Sequence, residues 1–295
     1  MAAPVFRLTK VFAVLFGVLL LGCSDNARTP VAPDGVAIVE HDSYANATSA
    51  DLGRLVFFDK RMSLHGNQAC AACHAPEFGF TGPVPGVNLR DGVYPGSVRS
   101  RFGNRRPPSA AYAAQSPVLS DASGEWVGGN FWDGRATGGS LGNPAADQAL
   151  GPFLNPVEQA LPDEACVVWL VREGPYAGAY TSTWGDDLEG IDFPQNTKTL
   201  CRREGSDIPL SAEDRNAVED AYGNIALSIA DFEASPDVSP FSSKFDAYLA
   251  GEPVLADDEL AGLALFNGKA ACHFCHSSDG PKPLFTDYTL SLIHI

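Results

Sequence analysis

The chain has 295 residues, 45% apolar and 19% charged, a composition that fits a folded globular protein and excludes disorder and collagen. Its 20 basic and 36 acidic side chains leave a net charge of -16, which repels a phosphate backbone and excludes nucleic acid as a partner. Two methionines and six histidines make a short list of metal ligands, and seven cysteines, an odd number, each need an account.

Arg7 and Lys10 precede an apolar run over residues 11–21 that is too short to span a bilayer but suits a signal-peptide core. Leu20-Leu21-Gly22-Cys23 resembles the lipobox of bacterial lipoproteins. The expectation is a cleaved signal peptide at 1–22, a lipid anchor on Cys23, and a periplasmic protein tied to the membrane through that lipid only. A plain secretory signal with a chance cysteine is the alternative. Residues 23–48, rich in Ser, Asn, Ala, Pro and Asp, read as a flexible tether.

Cys70-Ala71-Ala72-Cys73-His74 is a C-x-x-C-H motif, the attachment signature of c-type haem, and Cys272-His273-Phe274-Cys275-His276 repeats it. Two thiols at this spacing reach the two vinyl groups of one porphyrin, and the next imidazole falls beneath the iron. Paired Cys-x-x-Cys also binds structural zinc, but a histidine directly after each pair, in an exported chain, suits haem. Gly53 and Phe57 ahead of the first motif, and Gly262 and Phe266 ahead of the second, are four apart on one helical face. There a small residue allows close approach and a ring can cover a haem edge. A Phe-Thr pair follows each motif, Phe80-Thr81 and Phe285-Thr286. Two covalently bound haems are therefore expected.

Between the motifs, Cys166 and Cys201 remain; outside the cytosol they read as a disulfide, with two buried thiols as the alternative. The clearest helix covers residues 211–232: Ser211 and Asp214 form a capping box, and Val218, Tyr222, Ile225, Ile229 and Phe232 form a core stripe. Strand alternation is sparse, so the fold is expected to be mainly α.

Taken in order, Gly53 to Asp59, the haem motif with Gly79-Phe80-Thr81, Arg106-Pro107-Pro108-Ser109, Phe131-Trp132-Asp133-Gly134-Arg135-Ala136, Gln148 to Pro152 and Asn155-Pro156-Val157-Glu158 resemble the bacterial dihaem cytochrome c peroxidases. That family includes the methylamine dehydrogenase maturation oxidase. The resemblance covers roughly residues 50 to 289 and implies two cytochrome c-like haem domains, 49–235 holding the peroxide site and 236–289 receiving electrons. It implies reduction of hydrogen peroxide to water with electrons from a small cytochrome c or cupredoxin, and a homodimer as a frequent assembly. An oxidase that modifies a protein side chain, and a non-catalytic multihaem electron carrier, are the alternatives.

Residue by residue, the resemblance assigns Glu158 as the acid/base over the first haem, with Gln148 nearby, and Trp132 as an electron relay between the haems. Without it, Trp132 reads as core and Glu158 as a solvated or helix-start charge. Arg135 reads as a haem-propionate partner or a salt bridge. No histidine lies between His74 and His273, so the peroxide face of the first haem is expected to be open unless His41 or His65 folds back. Arg106 stands where the family's interhaem calcium site has asparagine, and Asn104 is out of register, which argues against calcium. Gln159 stands where a methionine commonly follows the family glutamate. Residues 290–295 match the translation of a sequencing adapter, so the second haem domain is expected to be truncated here.

Overall fold

In the computed structural model the described residues are 44 and 46–290 without 186. Cys23, His41, His294 and the signal-peptide core lie outside them. The architecture is mainly helical, and two helices from opposite ends of the first haem unit organise it.

The first, α1 (Ser49–Phe58), is started by Thr48, whose hydroxyl accepts from the Asp51 amide at 3.2 Å while the Asp51 carboxylate accepts from the Thr48 amide at 2.9 Å. It stops at Asp59, whose buried carboxylate takes a forked pair of hydrogen bonds from Arg61 and one from the Tyr176 hydroxyl. After α1 come a short helix α2 (Pro85–Asn88) and an antiparallel pair, β1 (Ser120–Ala122) and β2 (Glu125–Val127). Helices α3 (Pro144–Leu154), α4 (Glu164–Arg172), α5 (Ala177–Trp184) and α6 (Thr197–Leu200) precede the long helix α7 (Ala212–Ala234).

The expected stripe is realised in α7: Val218, Tyr222, Ile225, Ile229 and Phe232 are all buried. Ser211 caps it by accepting from the Asp214 amide at 3.0 Å. The reciprocal half of the expected box is replaced, because the Asp214 carboxylate accepts instead from the Ser211 hydroxyl at 2.6 Å and the Asp192 amide at 3.0 Å. The α1 helix crosses α7 where Gly53 meets Ser228; a Cβ on Gly53 would lie 1.8 Å from the Ser228 carbonyl oxygen. One turn on, Phe57 meets Phe232 with ring centroids 5.3 Å apart. Helices α3 and α4 pack on another side of α7, where the Tyr222 hydroxyl donates to the Leu150 carbonyl.

Cys166 of α4 and Cys201, directly after α6, form a disulfide with both residues fully buried, which resolves the two alternatives. Its neighbour Arg202 donates to the carbonyls of Arg61, Ser63 and Leu64, holding the loop that leads into the first C-x-x-C-H motif.

Helices α8 (Lys244–Leu249) and α9 (Asp257–Asn267) lead to the second motif. Here the expected repeat holds in sequence but not in packing. No residue of α9 is buried, and a Cβ on Gly262 would meet nothing within 4 Å. Among the described residues nothing crosses α9 as α7 crosses α1.

Gly53→Val should therefore force the crossing apart and destabilise the fold by about 1–3 kcal/mol or more, read as a lowered midpoint in denaturant unfolding. Gly262→Val should leave that midpoint unchanged.

Candidate functional site

The first motif forms one tight turn. Cys70–Ala72 is a 3-10 turn, with the Cys73 and His74 amides donating to the Cys70 carbonyl at 3.0 and 2.9 Å. Both thiols and the imidazole thereby reach the wall of a single cavity of about 700 Å³. The His74 ring is oriented from behind, its Nδ1 lying 3.1 Å from the Phe80 carbonyl oxygen. A carbonyl can only accept, so Nδ1 carries the proton and Nε2 keeps a free lone pair. Burial lowers the pKa of His74 and keeps the ring neutral, the form that binds a metal. Burial also pushes Cys70 up to about 12 and Cys73 up to about 11, so both thiols stay uncharged.

The Phe80 carbonyl is itself held in place. Gly79 and Phe80 have φ of 65° and 58°, and the loop closes as the Ala75 amide donates to Thr81 at 3.0 Å and the Phe80 amide to Ala75 at 2.9 Å. The segment Arg106-Pro107-Pro108-Ser109 clasps this loop: the Thr81 hydroxyl donates to Pro107 and the Ser109 hydroxyl to Gly79, at 2.7 and 2.6 Å.

Gln148 and Glu158 line the same cavity as the motif. Helix α3 carries Gln148 and ends at Asn155, whose side-chain oxygen accepts from the Val157 amide at 3.2 Å while its carbonyl accepts from the Glu158 amide at 2.9 Å. The following Pro156 cannot continue a helix, and the Asn-Pro-x-Glu turn presents Glu158 to the cavity. Burial raises the Glu158 pKa above the usual carboxylate range, opposed by the nearby Arg135 charge and a hydrogen bond from Asn155. Arg135 itself lines the cavity, pairs with Asp133 at 2.7 Å and covers the Phe131 ring at 3.7 Å.

Trp132 is at the mouth of this cavity, 63% exposed, with its indole N–H donating to the Arg106 carbonyl at 3.4 Å. The core reading of Trp132 is thus corrected; the preceding Phe131 sits at a φ of 66°. The solvated reading of Glu158 is corrected as well. His65 is exposed, with its amide bonded to the Ser97 hydroxyl at 3.0 Å, and among the described residues His74 is the one histidine lining the cavity.

Two features of the wall escape sequence reasoning. Gln159 is 2% exposed with both amide atoms unpaired, and Gln68 leaves its Oε1 unpaired while its Nε2 reaches the Cys73 sulfur at 3.7 Å. Buried polar atoms of this kind call for a partner, and they border the cavity. Glu233 also lines the cavity; it follows Ile229 by one helical turn, and that spacing was the available signal. Two thiols, an oriented neutral imidazole and orphaned amides around a large, mainly apolar cavity fit a covalently attached haem.

The second motif repeats the local turn: the His276 amide donates to Cys272 at 2.9 Å, and the His276 Nδ1 lies 2.9 Å from the Phe285 carbonyl, with Phe285 at a φ of 54°. Cys275 is exposed, and neither thiol nor His276 lines the first cavity. Six of the expected residues, Cys70, Cys73, His74, Trp132, Gln148 and Glu158, thus share one site, while Cys272, Cys275 and His276 stand apart.

Residues 47–254 match the family described as di-haem cytochrome c peroxidase. The methylamine utilization protein MauG of Paracoccus denitrificans is 32% identical over 79% of this chain and 52% of its own length. The cytochrome c551 peroxidase of Nitrosomonas europaea is 28% identical over 85% of this chain and 56% of its own. Among solved structures, the diheme peroxidase BthA of Burkholderia thailandensis superimposes with a TM-score of 0.61 at 25% identity, covering 88% of this chain and 56% of that one. The chain therefore spans about half the length of the relatives it matches.

Protein matured with both motifs intact should retain two haems per chain after denaturation in acid acetone, counted by pyridine haemochrome absorbance. Cys70→Ala with Cys73→Ala should leave one; a variant still holding two would remove the first motif from haem attachment.

Proposed function

The chain belongs to the di-haem cytochrome c peroxidase family, and from that premise we propose that the protein reduces hydrogen peroxide to water with electrons from a small redox protein. The observation that carries this reading is the single cavity lined by Glu158 together with the Cys70, Cys73 and His74 turn. Haem held there by Cys70, Cys73 and His74 would supply redox-active iron for a two-electron reduction of peroxide. The family implies two such c-type haems, and Cys272, Cys275 and His276 repeat the first attachment turn.

The protein's own part is positioning and proton handling. His74 offers Nε2 to the iron because the Phe80 carbonyl holds its Nδ1–H. Glu158, as carboxylate, takes a proton from one peroxide oxygen and returns it to the departing oxygen, so that peroxide, two electrons and two protons leave as two waters. Gln148 lines the same space and can orient peroxide or water by its amide. Trp132, at the mouth, would offer an aromatic ring as a relay between haems held at His276 and His74. The Arg135 charge opposes the rise in the Glu158 pKa that burial causes.

A second reading, an oxidase that uses the same chemistry on a protein side chain, has one observation in its favour. Among the described residues no histidine but His74 lines the cavity, as an open first site would require. The signal core and Cys23 support a periplasmic protein held at the membrane by lipid, with an acidic surface facing its donor.

Glu158→Gln should lower steady-state peroxide turnover by about 100-fold or more while leaving haem content unchanged. Because burial raises the Glu158 pKa, loss of activity on acidification should begin above the ordinary glutamate range, and this acid limb should vanish in the variant. Full turnover by Glu158→Gln would remove the acid/base role. The oxidised protein should also show a high-spin haem signal in electron paramagnetic resonance; two low-spin signals alone would contradict an open first site.

A further inference from the structure

We propose that Glu233 is a redox-linked proton site of the first haem: its carboxylate takes up one proton when that haem gains one electron and gives it back on reoxidation. The inference rests on the reading that Cys70, Cys73 and His74 hold haem in the cavity, and it assigns to the wall a function separate from the peroxide chemistry of Glu158.

Helix α7 determines where this carboxyl points. Ile229 and Glu233, one turn apart, line the cavity while Phe232 between them packs on Phe57. Glu233 is 5% exposed, and among the described residues no hydrogen bond or ion pair reaches its carboxyl. A buried acid without a partner is costly to ionise, so burial alone pushes it up to about 8.

The groups around it leave its charge to be set by the cavity's occupant. From the turn Cys70–Ala72 the facing group is Cys70, whose pKa feels Glu233 more than any other charge, and which ceases to titrate once it is a thioether. Arg54 of α1 reaches Asp237 at 4.0 Å instead. The short turn Ala113–Gln115 brings no charge, and Asp147 of α3 is engaged by the Ser140 and Leu141 amides. On α4, Asp163 and Glu164 share Arg215. Elsewhere on the cavity wall, Arg135 is paired with Asp133, and the His74 pKa carries no contribution from Glu233.

Reduction of ferric haem removes one positive charge from the cavity. The Glu233 carboxylate loses that attraction, and its proton affinity rises. The step balances as one electron from the small redox donor onto the iron and one proton from solvent onto the carboxylate, with the reverse on oxidation. Charge added to a low-dielectric cavity is thereby neutralised where it arrives.

Equilibrium redox titration of the full dihaem protein over a range of pH tests this. One of its two midpoint potentials should fall by about 59 mV per pH unit, the value of a tenfold change for one electron, around the Glu233 pKa. In Glu233→Gln that slope should flatten, and in Glu158→Gln it should persist. A slope unchanged by Glu233→Gln, or abolished by Glu158→Gln, would overturn the proposal while leaving the haem reading intact. Protein that carries no haem on Cys70 and Cys73 would overturn both. If Glu233→Gln does not fold, redox-difference infrared spectra of the parent protein decide: a carboxylic C=O stretch must appear on reduction, and its absence overturns the assignment.

Discussion

Gly53 lies against the Ser228 carbonyl with no room for a Cβ, and the arrangement of the haem cavity depends on this contact. It fixes α1 on α7, and the same two helices then bring Phe57, Ile229 and Glu233 to the cavity wall. From the end of α1 the chain turns at Asp59, is held by Arg61, Tyr176 and the Arg202 clasp, and enters the first motif. The disulfide acts at second hand, since Cys201 places Arg202 against the loop carbonyls. A short run of strongly constrained contacts thus connects a helix crossing to the position of two thiols and an imidazole.

The Phe-Thr pair after each motif acquires a physical role. In both cases a Phe in left-handed conformation aims its carbonyl at the imidazole Nδ1, at 3.1 Å for His74 and 2.9 Å for His276. Such a conformation is uncommon for a bulky residue, and its recurrence after both motifs marks it as part of the site. The repeat is therefore local. It specifies the attachment turn and the tautomer of the ligand, whereas the surrounding packing differs: α1 is buried against α7, and α9 has no buried residue.

The sequence made these local devices legible because their periods and spacings are short-ranged. The C-x-x-C-H turns, the α7 stripe and the Ser211 cap follow from spacing alone, and the shared cavity of Glu158, Gln148 and Trp132 was expected only through family resemblance. Burial and direction were harder. Trp132 is 63% exposed despite a residue type that favours the core, and it follows a left-handed Phe131 that no local pattern announces. Glu233 was hidden because it adjoins a core stripe, and only the cavity on that side of α7 distinguishes it from a solvated charge. Gln159 likewise became meaningful only once both of its amide atoms were seen to lack partners.

The cavity contains two carboxyl groups raised by the same cause, and the differences around them separate their chemistry. Glu158 has Arg135 and Asn155 to offset part of the effect of its burial. Glu233 has no such offset and is held up to about 8, so in the absence of a cationic occupant its neutral form dominates at neutral pH. Two acids of one residue type, in one cavity, thus differ in their electrostatic surroundings by one arginine and one asparagine. The Asn155 turn that presents Glu158 also lowers its proton affinity, which ties the end of α3 to the electrostatics of the cavity.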